Sequence, residues 1–190
     1  AIVKYPYESQ YADSSKPKFG FFQTEKSAFE RVASELGMIR HPEFPNRYAR
    51  HPLVYLVEAA DDICYEIMDI EDAFKLRLLT FDETKALLLA FLPKHRQERA
   101  LNDVFTMVTD TNEQIAYLRS AVIGTLITAC ATTFVEHEED ILAGKFQKSL
   151  INKLPEPLQN AYATCAKIAV PKIYKSQEVL DVELAGYRII

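Results

Sequence analysis

The chain has 190 residues, with 22 Lys and Arg against 27 Asp and Glu and a formal net charge of −5. This length suits one ordinary domain or part of a larger one, and can bury ~70% of the surface of the unfolded chain. Hydrophobic residues at 48% beside 26% charged residues exclude wholesale disorder, and the acid excess argues against a nucleic-acid binder, whose phosphate contacts need a basic face.

In chain order, Ala1 to Lys18 holds Pro6 and Pro17 with no apolar period and is expected to be loop. After Phe19-Gly-Phe-Phe, a helix is expected from Thr24, as its cap, to Gly37, as its stop. His41 to Arg50, with Pro42, Pro45 and Asn46, is again loop, so residues 1–50 form a loop-rich lead-in with one helix. From His51 onward, residues 51–190 are helical. Pro52 suits a first turn, and Leu53, Leu56, Val57, Ala60, Ile63, Cys64, Ile67 and Met68 recur at helical spacing as one apolar face up to Asp72. That spacing points the Cys64 thiol into the packing.

Thr80-Phe-Asp-Glu83 is a capping box that opens a helix running to Leu92, stopped by Pro93. Further helices are expected over 95–109, 113–135, 157–170 and 177–190, the last begun by Ser176. Met107 and the phenylalanines at 74, 81, 91, 105 and 134 are expected in the core. No run reaches the ~18 uncharged apolar residues of a membrane span. The longest, Ser120 to Val135, is interrupted by threonines and reads as a buried helix, so no membrane partner is expected. β-branched runs of period two are almost absent, and the fold class is all-α, a helical bundle.

Three cysteines, Cys64, Cys130 and Cys165, cannot complete a set of internal disulfides and include no CxxC. Reduced thiols in a cytoplasmic protein are therefore expected. The chain opens without Met or a basic and apolar leader and ends on Ile189-Ile190 inside an expected helix. A segment truncated at both ends is the reading.

The segment richest in chemistry is Glu58-Ala-Ala-Asp61-Asp62-Ile-Cys-Tyr65-Glu-Ile-Met-Asp69. On a helix, Asp61, Tyr65 and Asp69 stand at i, i+4 and i+8 on one line, with Asp62 and Glu66 on a second line beside it. Either this is the solvated acidic edge of an amphipathic helix, or it is a metal-ligating carboxylate with a substrate-holding Tyr and Asp one and two turns away. Stacked acids repel by a few tenths of a kcal/mol per pair unless a cation or donor lies between them. Arg119, before the apolar run, could reach a phosphate, or could form a salt bridge on its helix surface. Glu136-His-Glu-Glu-Asp140 carries ligand-type residues but reads as a solvated helix end. No Gly-rich phosphate loop is present.

His51 to Tyr65, followed by Asp69-Ile-Glu-Asp72, resembles the corresponding helix of the deoxyguanosinetriphosphate triphosphohydrolase (dGTPase) family, within the HD superfamily of metal-dependent phosphohydrolases. Lys4-Tyr5-Pro6, Lys18-Phe-Gly-Phe-Phe and Ile173-Tyr174 through Gly186-Tyr187 are similar to the same family in the same order, so the likeness spans essentially the whole chain. It implies a portion of an HD-type helical enzyme that hydrolyses deoxynucleoside triphosphates to deoxynucleoside and inorganic triphosphate, with a divalent metal such as Mg or Mn as cofactor. In that likeness Asp61 is the late metal ligand, Tyr65 packs against the deoxyribose, Asp69 accepts from the sugar 3′-hydroxyl, and Lys4 and Tyr5 approach the triphosphate. It also implies a homo-oligomer, often a hexamer, and nucleotide or single-stranded DNA effectors. The four histidines are followed by Pro, Pro, Arg and Glu, so the family's His-Asp pair is missing and the segment alone is expected to be inactive. Two other readings stand beside this one: an HD-type phosphohydrolase acting on another phosphoester, and a non-catalytic helical interaction or regulatory module.

Overall fold

A computed structural model describes residues 3–12, 14, 17–169, 172–173 and 177–189. Among these residues there is no β-strand, only two isolated bridges, Glu8 with Phe21 and Arg40 with Tyr48, so the fold is all-α. The helices are α1 (Lys26–Glu35), α2 (Pro52–Lys75), α3 (Phe81–Leu89), α4 (Lys94–Arg99), α5 (Phe105–Met107), α6 (Thr111–Glu136), α7 (Glu138–Leu142), α8 (Glu156–Ala169) and α9 (Gln177–Ile189). A π-helical stretch, Ala100–Val104, joins α4 to α5. Ser176, expected to begin the last helix, lies outside the described residues. The chain divides into two compact units, Ala1–Ala60 with Cys130–Lys153 and Asp61–Ala129 with Leu154–Ile190.

In the first unit the lead-in is held by close backbone approach. Gly20 donates its N–H to Tyr7 O at 3.1 Å, and a Cβ at Gly20 would fall 2.0 Å from Tyr5 O, so only glycine lets these two segments meet. Phe21 and Phe29 stack with centroids 4.2 Å apart, and with Ala33 they form a small core against which Val3, Met38 and Tyr48 pack. Helix α1 is preceded by a single 3-10 turn, Gln23–Glu25. Thr24 is not its cap: Glu25 is the N-cap residue of α1 and makes no side-chain bond to it, its carboxylate accepting instead from Phe22 N–H at 2.9 Å ahead of the 3-10 turn. Gly37, at φ +62°, ends α1 as expected. Its N–H donates to Ser34 O, and Met38 N–H donates to Ala33 O, the pairing that closes a helix through a left-handed residue. Helix α7 ends the same way through Gly144 at φ +67°. This short helix occupies the acidic run that the sequence reading left as a solvated end.

In the second unit the capping box is present: Glu83 N–H donates to Thr80 Oγ1 at 3.3 Å, and Thr80 N–H donates to Glu83 Oε2 at 2.9 Å. Helix α3 stops at Leu89, three residues before the expected end. Gln97 takes up the loose carbonyls there, donating to Leu89 O and Leu92 O. The core includes Ile67, Ile70, Leu88, Phe91, Ile115, Leu118, Val122 and Leu126. Helix α6 meets the length and composition of a membrane span. It is not buried all round, as the sequence reading expected. Ile115, Leu118, Val122, Leu126, Cys130 and Thr133 form one buried stripe, while Gly124, Ile127, Thr128, Ala131 and Val135 are exposed.

The core assignments are corrected at three points. Of the five phenylalanines expected in the core, Phe91 is buried, while Phe74, Phe81, Phe105 and Phe134 are half-buried. Met107 is 83% exposed, because the π-helical residues before it displace the register that would have carried it inward. In α2 the buried apolar residues are Val54, Tyr55, Ala59, Ile63, Ile67, Ile70 and Ala73, whereas Leu53, Leu56, Val57, Cys64 and Met68 are exposed. The helix carries two apolar stripes at spacings of three and four, and only packing decides which one is covered. Cys64 is therefore an exposed thiol, not a packed one. Cys130 and Cys165 are buried, and all three are free.

Candidate active-site helix

Helix α2 carries the acidic line. One turn of helix separates Asp61 from Tyr65 and Tyr65 from Asp69, about 6 Å of rise per step. Asp61 is exposed, Tyr65 is 66% exposed and Asp69 is half-buried. Asp61 and Tyr65 lie on the same side as the exposed apolar residues Val57, Cys64 and Met68, so this face offers both oxygen ligands and apolar surface. Beside it, Tyr162 donates its hydroxyl proton to Asp62 O at 2.7 Å.

Glu66 is the strained member of the cluster. Its Oε1 is buried with no hydrogen-bond partner among the described residues. Burial first, and then the charges of Asp69 and Asp62, push its carboxyl up to about 6. Burial likewise pushes the Cys165 thiol up to about 12, with the Glu66 charge adding to it. Neither group was singled out in the sequence. Glu66 was legible only as one of several acids, because its distinguishing property is the absence of a partner. Two residues beyond Asp69, Glu71 is paired: Arg119 Nη1 lies 2.5 Å and Lys75 Nζ 3.2 Å from its carboxylate. Arg119 thus forms a salt bridge from α6 to a buried acid on α2, not on its own helix surface.

Lys4 and Tyr5 belong to the other unit. Lys4 Nζ lies 3.0 Å from Glu58 Oε1, and Arg50 binds the second oxygen of the same carboxylate. Glu58 is 10% exposed, so a nearly buried acid is held between two cations. The Arg50 guanidinium stacks on the Tyr55 ring at 4.5 Å. The Tyr5 ring meets Tyr7 edge-on at 6.1 Å, and Lys18 Nζ lies 5.9 Å from its centroid. A cavity of about 210 Å³ adjoins these groups, lined among others by Lys4, Tyr5, Tyr7, Arg47 and Arg50. Glu58 and Arg50 were missed as partners of Lys4, since nothing in their sequence separation from Lys4 brings them to it.

A divalent metal was expected at Asp61. Among the described residues no three His, Cys, Asp or Glu side chains converge on one point. His41 and His51 each use Nδ1 to accept a backbone N–H in a turn, and His137 packs on the Phe146 ring. Asp61 is an exposed carboxylate, one oxygen donor suited to a hard cation.

No protein-family model matches the chain. Proteins described as deoxyguanosinetriphosphate triphosphohydrolase-like do match it. Two from Pseudomonas aeruginosa, strains LESB58 and UCBPP-PA14, are each 34% identical over 193 aligned residues, covering 97% of this chain and 42% of theirs. One from Synechocystis sp. (strain ATCC 27184 / PCC 6803 / Kazusa) is 34% identical over 198, covering 100% of this chain and 42% of its own. The chain spans less than half the length of these curated relatives, yet nearly all of it aligns to them. Over the part of these relatives that it spans, the chain belongs to the deoxyguanosinetriphosphate triphosphohydrolase-like family.

Proposed function

We propose that the chain is part of a metal-dependent enzyme that hydrolyses deoxynucleoside triphosphates, dGTP or a related one, to deoxynucleoside and inorganic triphosphate. The observation that carries this reading is the Asp61–Tyr65–Asp69 line on α2, exposed at Asp61 and Tyr65 and half-buried at Asp69, in a chain similar over nearly its whole length to triphosphohydrolase-like proteins. Asp61 contributes one carboxylate oxygen toward a divalent cation, the remaining ligands coming from outside this sequence. When bound, that cation would polarise the phosphate and favour a hydroxide nucleophile.

The roles of this chain's own residues follow from their chemistry. The Tyr65 ring forms an apolar wall against the deoxyribose, where a ribose 2′-hydroxyl would meet a surface unable to bond it. Asp69 accepts from the 3′-hydroxyl, and a site built to bond a hydroxyl rejects an analogue lacking it. The roles of Lys4 and Tyr5 at the triphosphate rest on the likeness of the Lys4-Tyr5-Pro6 segment alone. Lys4 would supply a point charge there. The exposed apolar stripe beside Asp61 is the face on which the rest of such a domain would close. Cytoplasmic location, oligomerisation and effector binding belong to the same proposal.

In the full-length protein, Asp61→Ala is expected to abolish metal-dependent release of triphosphate from dGTP. Tyr65→Ala is expected to lower the preference for deoxyribose over ribose by about tenfold in kcat/KM, a change of ~1.4 kcal/mol in differential binding. Retained turnover in the first variant, or unchanged sugar selection in the second, overturns the corresponding assignment.

A further inference from the structure

Residues 94–99 concentrate cations in an acidic protein. Lys94, His95, Arg96 and Arg99 share this segment with one acid, Glu98, and all four are exposed. Among the described residues, no carboxylate pairs with any of them. Three full charges within six residues repel one another, and Glu98 is the one acid among them.

Two of these residues, His95 and Arg96, border a cleft. An opening of about 300 Å³ is lined by Pro93, His95, Arg96, Thr125, Thr128 and Ala129, all in the second unit. Arg96 Nη1 donates to Thr125 Oγ1 at 3.2 Å, which draws the guanidinium across the opening. The Thr125 hydroxyl proton is committed to Ala121 O and that of Thr128 to Gly124 O, each at 2.9 Å. The threonine oxygens are thereby fixed as acceptors, and the free donors of the cleft are the Arg96 N–H groups and the His95 ring. The segment runs directly into the π-helical residues Ala100–Val104, an irregularity found frequently at functional sites.

We propose that this cleft binds a phosphoryl group of a small polyphosphate. Arg96 has four N–H donors beyond the one given to Thr125 and can present two of them to two oxygens of one group. His95 lines the same opening, and Lys94 and Arg99 belong to the same six-residue helix. Lys94, Arg96 and Arg99 less Glu98 leave this segment a formal charge of +2, which a phosphoryl group matches more closely than a singly charged carboxylate does. The proposal does not depend on the triphosphohydrolase reading, since none of its residues lies on α2 or in the Lys4-Tyr5-Pro6 segment.

The test is a titration of the protein with sodium tripolyphosphate, followed by calorimetry and by amide and arginine side-chain NMR. Binding is expected to shift His95, Arg96 and Thr125, and the double variant His95→Gln/Arg96→Gln is expected to weaken it about tenfold or more, in line with loss of a charge-assisted contact. Both positions are exposed, so circular dichroism should be unchanged. Lys4→Gln separates this site from the α2 reading, because it should leave the shifts at Arg96 in place. Equal affinity for tripolyphosphate and for a deoxynucleoside triphosphate would assign the cleft to free polyphosphate, and tighter nucleotide binding would assign it to a nucleotide. No shift at Arg96, full affinity in the double variant, or shifts confined to Lys4 and Tyr5 would overturn the proposal.

Discussion

Two carboxylates on one helix meet opposite fates. Glu58, in the first unit, is 10% exposed and gripped by Lys4 and Arg50. Glu66, two turns on and in the second unit, has a buried oxygen with no partner and acids as neighbours. The difference teaches that burial alone does not define what an acid does. A buried carboxylate with cations on both oxygens is a structural joint, because removing it takes the counter-charge from the partly buried Arg50 guanidinium. A carboxylate buried without a cation titrates near neutrality, because its charged form is the one the surroundings disfavour.

Three experiments sharpen or break this contrast. The largest effect is expected from Glu58→Ala, which leaves Arg50 partly buried and Lys4 without its acid. A loss of about 3 kcal/mol in denaturant unfolding is expected, and a loss below about 1 kcal/mol would mean the joint is no more than a surface pair.

Glu66→Gln should move stability the other way. In the folded chain its carboxyl is raised from 4.5 to about 6, so the folded state holds the proton more tightly than the unfolded state. Stability therefore falls as pH rises from about 4.5 through about 6, and stays lower above that window. Removing the charge should stabilise the protein at pH 7 by about 1 kcal/mol, a figure reduced for the partial exposure of the group. It should also flatten the pH dependence of Tm between 4.5 and 6, whereas Glu58→Ala should leave that feature in place. An unchanged pH profile in Glu66→Gln would assign the slope to another group.

The smallest effect, and the control, lies at the end of the same helix. Arg77 adopts φ +61°, and Leu78 N–H donates to Ala73 O in the closing pattern that Gly37 supplies for α1. Arg77→Gly should add about 0.5–1 kcal/mol by removing the left-handed strain, with no change in pH dependence. A destabilised variant would mean that the Arg77 side chain contributes more than its backbone conformation costs.

The Arg77 geometry also explains where reading the sequence stopped short. Gly37 announced the end of α1, but α2 runs to Lys75 and closes through an arginine, so its end was placed at Asp72. The Thr80–Glu83 capping box was legible because both partners are local and of the right type. The Asp61–Tyr65–Asp69 line was legible because helical spacing alone aligns it. The grip on Glu58 was not, since Lys4 reaches it across more than fifty residues of chain.

By itself, the sequence determined the all-α class, most helix positions, the acidic line on α2 and the likeness to the dGTPase family. Each of these depends on spacing within a few turns or on a recognisable string of residues. Tertiary packing decided which of two equally periodic stripes on α2 is covered, why Cys64 and Met107 are exposed, and which acids have partners. Periodicity states that a helix has an apolar face. Which face is covered, and whether a buried charge is neutralised, depends on residues distant in sequence, and only the folded chain brings those together.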